Sequence, residues 1–191
     1  MNKIINNRVL LFAVLICLVN IIVFFFVPSS YYTLNLSLSL NEPWRFFTFQ
    51  FFHVDIFHLL ENVAGLIFVA FIAIELDVDF KSFLSVYLLS VFVVFLPISL
   101  VFPLATVAGN STGIYGVLAL CLIKARKLVS SKITLPIIIV FILAASILNF
   151  ALCEMCFLPF FEGEFFHFSG FLAGMTLSFM PAPKPKHILR V

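Results

Sequence analysis

"GNSTGIYGVLALCLIKARK", residues 109–127, opens with five small or polar residues, continues as a short apolar run and closes on a cluster of basic side chains. Read as a membrane helix, the run is too short to cross unaided. From Ser111 to Lys124 a helix rises about 20 Å at roughly 1.5 Å per residue, against a hydrocarbon core about 30 Å thick. If Lys124, Arg126 and Lys127 mark the water boundary, Ser111 lies below the opposite surface.

The rest of the chain supports the membrane reading. Of its 191 residues 63% are hydrophobic and only 10% are charged, and the mean hydropathy is +1.22, far outside the range of soluble domains. Phenylalanine alone supplies 27 residues. The net charge of +2 is no nucleic-acid signal, and what matters is where the charges fall. Lys3, Arg8, Lys81, Lys124, Arg126, Lys127, Lys132, Lys184, Lys186 and Arg190 can all be placed on one side, with Arg45 on the other. That asymmetry puts both termini in the cytoplasm.

Apolar stretches fall at about 9–27, 56–74, 83–102, 112–123, 133–152 and 165–180. The fold expected is all-α, a single polytopic membrane bundle of six transmembrane helices over residues 1–191. The first stretch reads as a retained helix, because no small-residue cleavage site follows Pro28.

The ruler that places Ser111 also places two other polar residues. Asn62 lies thirteen residues before Glu75 and His167 fourteen before Pro181, so each comes out about 20 Å above the inner boundary. Polar groups at that depth are costly unless they pair or line a wet cavity. A lone serine there is explained by a bond to its own helix backbone; a serine with histidines at a matched depth calls for more. His58 and Asn62 are spaced i to i+4 and project from one helix face, as do Ser111 and Tyr115. His167 is followed by Gly170 and Gly174, a small-xxx-small face against which Gly113 and Gly116 are the expected counterpart, bringing His167 toward Ser111.

These motifs, in this order, resemble the rhomboid intramembrane serine proteases in their minimal six-helix form. "EPWRFFT" at 42–48 is similar to the family's first-loop motif, and "HVDIFHLLEN" at 53–62 to its second-helix His and Asn pattern. Ser111 in "GNSTGIYG" falls at the nucleophile, and "HFSGFLAG" at 167–174 fits His-x-x-Gly-x-x-x-Gly. The resemblance implies a Ser–His dyad rather than a triad, with Ser111 as nucleophile and His167 as general base and acid. It implies an oxyanion site from the Ser111 backbone amide with the side chains of His58 and Asn62. Tyr115 resembles the aromatic residue that packs on the catalytic ring, and His53 aligns with a structural histidine. No third acid is expected at the depth of the dyad, and no metal or other cofactor is required. The partners implied are transmembrane protein substrates and the lipid bilayer, not nucleic acid. The setting implied is a bacterial inner membrane, with the site opening to the extracytoplasmic side.

Two positions depart from the family pattern. Thr112 follows the nucleophile where Gly is usual, and Phe166 precedes the catalytic His where a small residue is usual. Neither removes a reacting group. Other enzymatic and non-enzymatic readings are a rhombosortase-like processor of C-terminal anchors and a rhomboid-like client-binding protein without activity. A transporter is disfavoured, since no inverted repeat or buried ion pair is visible.

The remaining polar features have simpler readings. Tyr31, Tyr32 and Trp44 fit an interfacial belt in a loop lying partly in the outer leaflet, with Glu42 and Arg45 as a stabilising pair. Glu61 is turned about 100° from the His58 and Asn62 face and reads as lining a polar or interfacial region. Cys153 and Cys156 form a C-x-x-C with neither a thioredoxin-like context nor further zinc ligands, and read as ordinary thiols ahead of the alternative, a disulfide on the oxidising side. Residues 153–166 read as a loop, which the resemblance implies is a mobile cap over the site, with Gly163 its flexible point.

Overall fold

The helix at Ile56–Glu75 and the start of the one after it have local causes. Asp55, in extended conformation, caps the helix at Ile56–Glu75 by accepting the His58 backbone N–H at 2.8 Å. That helix ends in a Schellman motif: the Val78 N–H donates to the Ala73 carbonyl at 2.8 Å and the Asp77 N–H to the Ile74 carbonyl at 3.1 Å. Asp77 takes the left-handed conformation the motif needs, at φ 52°, which a short polar side chain tolerates. Asp79 then accepts the Ser82 N–H at 3.0 Å and starts the next helix.

The structure, a computed structural model, describes residues 3–28, 41–102, 106–126, 136 and 157–179. Among these the helices are α1 (Lys3–Phe26), α2 (Arg45–Thr48), α3 (Ile56–Glu75), α4 (Phe80–Val101), α5 (Ser111–Ala125) and α6 (Phe157–Ser178), with a 3-10 turn at Phe49–Phe51 after α2. Arg8–Phe26 and Ile56–Glu75 are long and apolar enough to cross a bilayer. The expected span at 133–152 lies outside the described residues, as do Cys153, Cys156 and the basic residues from Lys127 onward.

The expectation of a loop through 153–166 is corrected from Phe157 onward. Helix α6 begins at Phe157, so Gly163 and Phe166 are helical residues and not loop residues. The helix runs on without a break to Ser178.

Short α5 is the central helix. Nine of its fifteen residues are buried, and it packs against α3, α4 and α6. Its small residues allow this, because a helix surrounded on all sides needs close backbone approach. Helix α1 sits at the periphery. Val9, Ala13 and Cys17 face the core at helical spacing, whereas Leu11, Leu15, Leu18 and Ile22 form an exposed apolar face. At one end of the bundle the Lys124 ammonium donates to the Asp77 carbonyl at 3.4 Å, and the Arg126 guanidinium lies 5.7 Å from the Phe179 ring centroid. Ser111 is at the other end of α5.

Candidate active site

The loop leading into α5 is shaped by two contacts that no local motif announces. Gly109 has φ +97°, a conformation open to glycine at no steric cost, and its N–H donates to the Phe49 carbonyl at 3.0 Å. A Cβ at Gly109 would meet the His58 ring at 2.9 Å, so the loop backbone lies directly on that imidazole. Asn110, fully buried, donates from Nδ2 to the Tyr87 hydroxyl of α4 at 2.8 Å. Tyr87 in turn packs edge-on against Phe12 of α1 at 5.4 Å between ring centroids. The residue before the serine is thereby tied to α4, and through it to α1.

The turn is thus made at Gly109, and Ser111 and Thr112 are the first two residues of α5. Thr112 occupies helical backbone, where glycine is not required, and its side chain is buried. Thr112 in place of the usual Gly leaves the helix start intact.

Helix α6 reaches α5 by backbone contact. A Cβ on Gly170 would stand 2.7 Å from the Thr112 Cα, and one on Gly174 would stand 2.6 Å from the Gly116 carbonyl carbon. The expected counterpart of this face was Gly113 with Gly116; only Gly116 serves. Gly113 instead faces α4, where a Cβ would meet Val91 at 2.8 Å and the Tyr87 ring at 2.9 Å. The reason is helical spacing: Thr112 and Gly116 are i and i+4 on the α6 side, and Gly113 is turned from them by about 100°.

This approach brings His167 Nε2 to 3.1 Å from Ser111 Oγ. The imidazole lies flat on the Tyr115 ring, with centroids 4.5 Å apart and planes 9° from parallel. One bond and one stack fix the ring's position and plane. A serine hydroxyl bonded to an oriented imidazole at a helix N-terminus can act as a nucleophile with its own base, and the N-terminal amides favour a developing negative charge.

His58 and Asn62 are placed differently from one another. The His58 ring lies beside Gly109 and packs edge-on with His53 at 5.1 Å. Asn62 is buried on α3 and donates from Nδ2 to the His58 carbonyl at 2.8 Å, which leaves it the second amide hydrogen. His53 is buried in the loop ahead of α3, and its pKa is pushed down to about 3, first by burial and next by the charge of His58. It is therefore neutral at ordinary pH. The Arg45 Nε donates to Glu42 at 2.7 Å, closing the loop pair before α2.

One residue at this end was missed. The expectation of no third acid is corrected by Glu164, whose Oε1 stands 3.6 Å from His167 Nδ1. The signal was available, since Glu164 precedes His167 by three positions, but only if that stretch is helical; as a loop it carries no such geometry. Glu61 of α3 also bears electrostatically on His167 and Glu164. Among the described residues no group of three or more His, Cys, Asp or Glu is arranged to hold a metal ion.

Comparison with known proteins gives one domain match and one curated relative. Residues 40–184 match the Rhomboid domain. The chain is 29% identical over 150 residues to the "RHOMBOID-like protein 1" of Arabidopsis thaliana, an alignment covering 77% of this chain and 36% of that relative. The chain thus matches about a third of the length of that curated relative. With the domain match running over residues 40–184, from the loop before α2 to beyond the end of α6 and through both Ser111 and His167, the chain belongs to the rhomboid family.

Proposed function

We propose that the chain is an intramembrane serine endopeptidase that cuts membrane-anchored proteins within or near their transmembrane segments. The observation that carries the reading is the 3.1 Å approach of His167 Nε2 to Ser111 Oγ, on a ring stacked against Tyr115. Membership of the rhomboid family supports it.

In this mechanism Ser111 Oγ attacks the scissile carbonyl as its proton passes to His167 Nε2. The same nitrogen returns the proton to the leaving amine, and water then releases the acyl group from Ser111. The Ser111 amide at the head of α5, with His58 and the free amide hydrogen of Asn62, faces the oxyanion. Gly113, Gly116, Gly170 and Gly174 act by bringing helices together and Tyr115 by orienting the ring. No cofactor enters the reaction.

The substrate class follows from the bilayer. A transmembrane helix hides its carbonyls in its own hydrogen bonds, so cleavage requires local unwinding, and helix-breaking residues near the cut favour it. The topology proposed is six spans with both termini cytoplasmic in a bacterial inner membrane, supported by the one-sided distribution of the basic residues. Lys124 and Arg126 then mark the cytoplasmic end, and Ser111 lies toward the extracytoplasmic face.

The test is labelling of the detergent-solubilised protein with a fluorophosphonate probe, with the adduct located by mass spectrometry. Wild type is expected to carry it on Ser111, and Ser111→Ala and His167→Ala to carry none. An unlabelled wild type, beside an active rhomboid labelled in parallel, would replace this reading with client binding.

A further inference from the structure

The general base has two nitrogens, and only one is occupied by the serine. For His167 Nε2 to accept the Ser111 proton, the neutral ring must carry its own proton on Nδ1. Nδ1 is buried and has no hydrogen-bond partner. The ring cannot turn to find one, because the Tyr115 stack and the Ser111 contact fix its plane and its direction. The polar atom aimed at Nδ1 is Glu164 Oε1, at 3.6 Å, from a side chain 23% exposed. That gap is a few tenths of an ångström beyond a hydrogen bond.

We propose that Glu164 is the positioning residue of the site, holding the His167 proton on Nδ1 while Nε2 exchanges a proton with Ser111. The inference rests on the protease reading above. As the bond between Ser111 Oγ and the carbonyl carbon forms, the carbonyl π pair moves to oxygen and the Oγ proton moves to Nε2. Nδ1 keeps its proton throughout. The imidazolium formed lies against the Glu164 carboxylate, which takes no proton. When the carbon–nitrogen bond breaks, the Nε2 proton leaves with the amine.

Other charged and titratable groups face the same ring. Glu61 and His58 approach from α3, and Tyr115 from α5. Glu61 acts through space, whereas Glu164 makes the 3.6 Å approach to Nδ1.

The test compares wild type with Glu164→Gln, Glu164→Asp and Glu61→Gln by the rate and saturation of fluorophosphonate labelling. Thermal unfolding serves as the check on folding. Glu164→Gln is expected to lower the maximal labelling rate about 10- to 100-fold with the half-saturating probe concentration unchanged, and Glu164→Asp to recover part of it. A maximal rate for Glu164→Gln within about twofold of wild type overturns the inference, as does a loss seen only in Glu61→Gln. If wild type fails to label, the protease reading has failed, and the contact is decided separately. In protein labelled with 15N-histidine, the His167 ring is expected as the Nδ1–H form in wild type and as a mixture in Glu164→Ala. An Nε2–H ring in wild type overturns the inference.

Discussion

The backbone of Gly174 on α6 lies against the backbone of Gly116 on α5 with no space for a side chain between them. The contact sits two turns below His167, so it sets how near α6 brings the imidazole to Ser111. Gly174→Ala is expected to lower stability in detergent by about 1–3 kcal/mol, the usual cost of overpacking, and to abolish Ser111 labelling. Gly163, on the same helix, meets nothing within 4 Å of its Cβ position. Gly163→Ala is expected to gain about 0.5–1 kcal/mol from helix propensity with labelling retained. Thermal unfolding of the pair checks both signs, and a Gly174→Ala protein as stable as wild type would sink the argument.

Gly109 carries a different constraint. Its φ of +97° strains any other residue, and its Cβ position lies 2.9 Å from the His58 ring. Gly109→Ala is expected to cost about 1–3 kcal/mol and to cut the Ser111 labelling rate at least about tenfold, because backbone and imidazole must both move. The rate measured beside that of wild type decides it. Labelling within about twofold of wild type would show that the loop relaxes without disturbing His58.

Much of this end of the molecule was legible in the sequence, for identifiable reasons. A short apolar run closed by Lys124 and Arg126 fixes the length of α5, and i to i+4 spacing is enough to group His58 with Asn62 and Ser111 with Tyr115. The small-xxx-small face at Gly170 and Gly174 pointed to close packing, and Gly174 does meet Gly116. What was not legible depends on where helices begin and which neighbour each side faces. Reading 153–166 as a loop hid Glu164, since an i−3 relationship exists only on a helix. Glycine count alone did not tell that Gly113 faces Tyr87 while Thr112 faces Gly170. The Asn110 to Tyr87 bond joins residues 23 apart and leaves no local pattern at all.

That bond yields a third prediction. Both partners are fully buried, and the 2.8 Å contact holds the residue immediately before the nucleophile. Tyr87→Phe keeps the ring against Phe12 while stranding the Asn110 amide, and is expected to cost about 1–3 kcal/mol. Asn110→Ala is expected to cost a similar amount, and the double variant less than the sum. A coupling of about 0.5–2 kcal/mol from the double-mutant cycle would establish the contact. Strict additivity would mean that Asn110 and Tyr87 act independently.

Acid should reach the site through His53. Its ring is buried, with the Asn110 side chain, the Phe51 backbone, His58 and Asp55 as the groups that bear on it, and its pKa falls from the ordinary 6.5 to about 3. The folded pKa lies below the unfolded one, so between pH 6.5 and 3 the unfolded chain binds the extra proton. Stability from this residue is complete above about pH 6.5 and is lost as the pH falls, at up to about 1.4 kcal/mol per pH unit. His53→Gln removes the titrating group while keeping a polar side chain. Its melting temperature in detergent is expected to depend less steeply on pH between 6 and 4.5 than that of wild type, with His58 common to both proteins. Parallel slopes would show that His53 takes up its proton in the folded state, and that the loop beneath Gly109 opens to water well above pH 3.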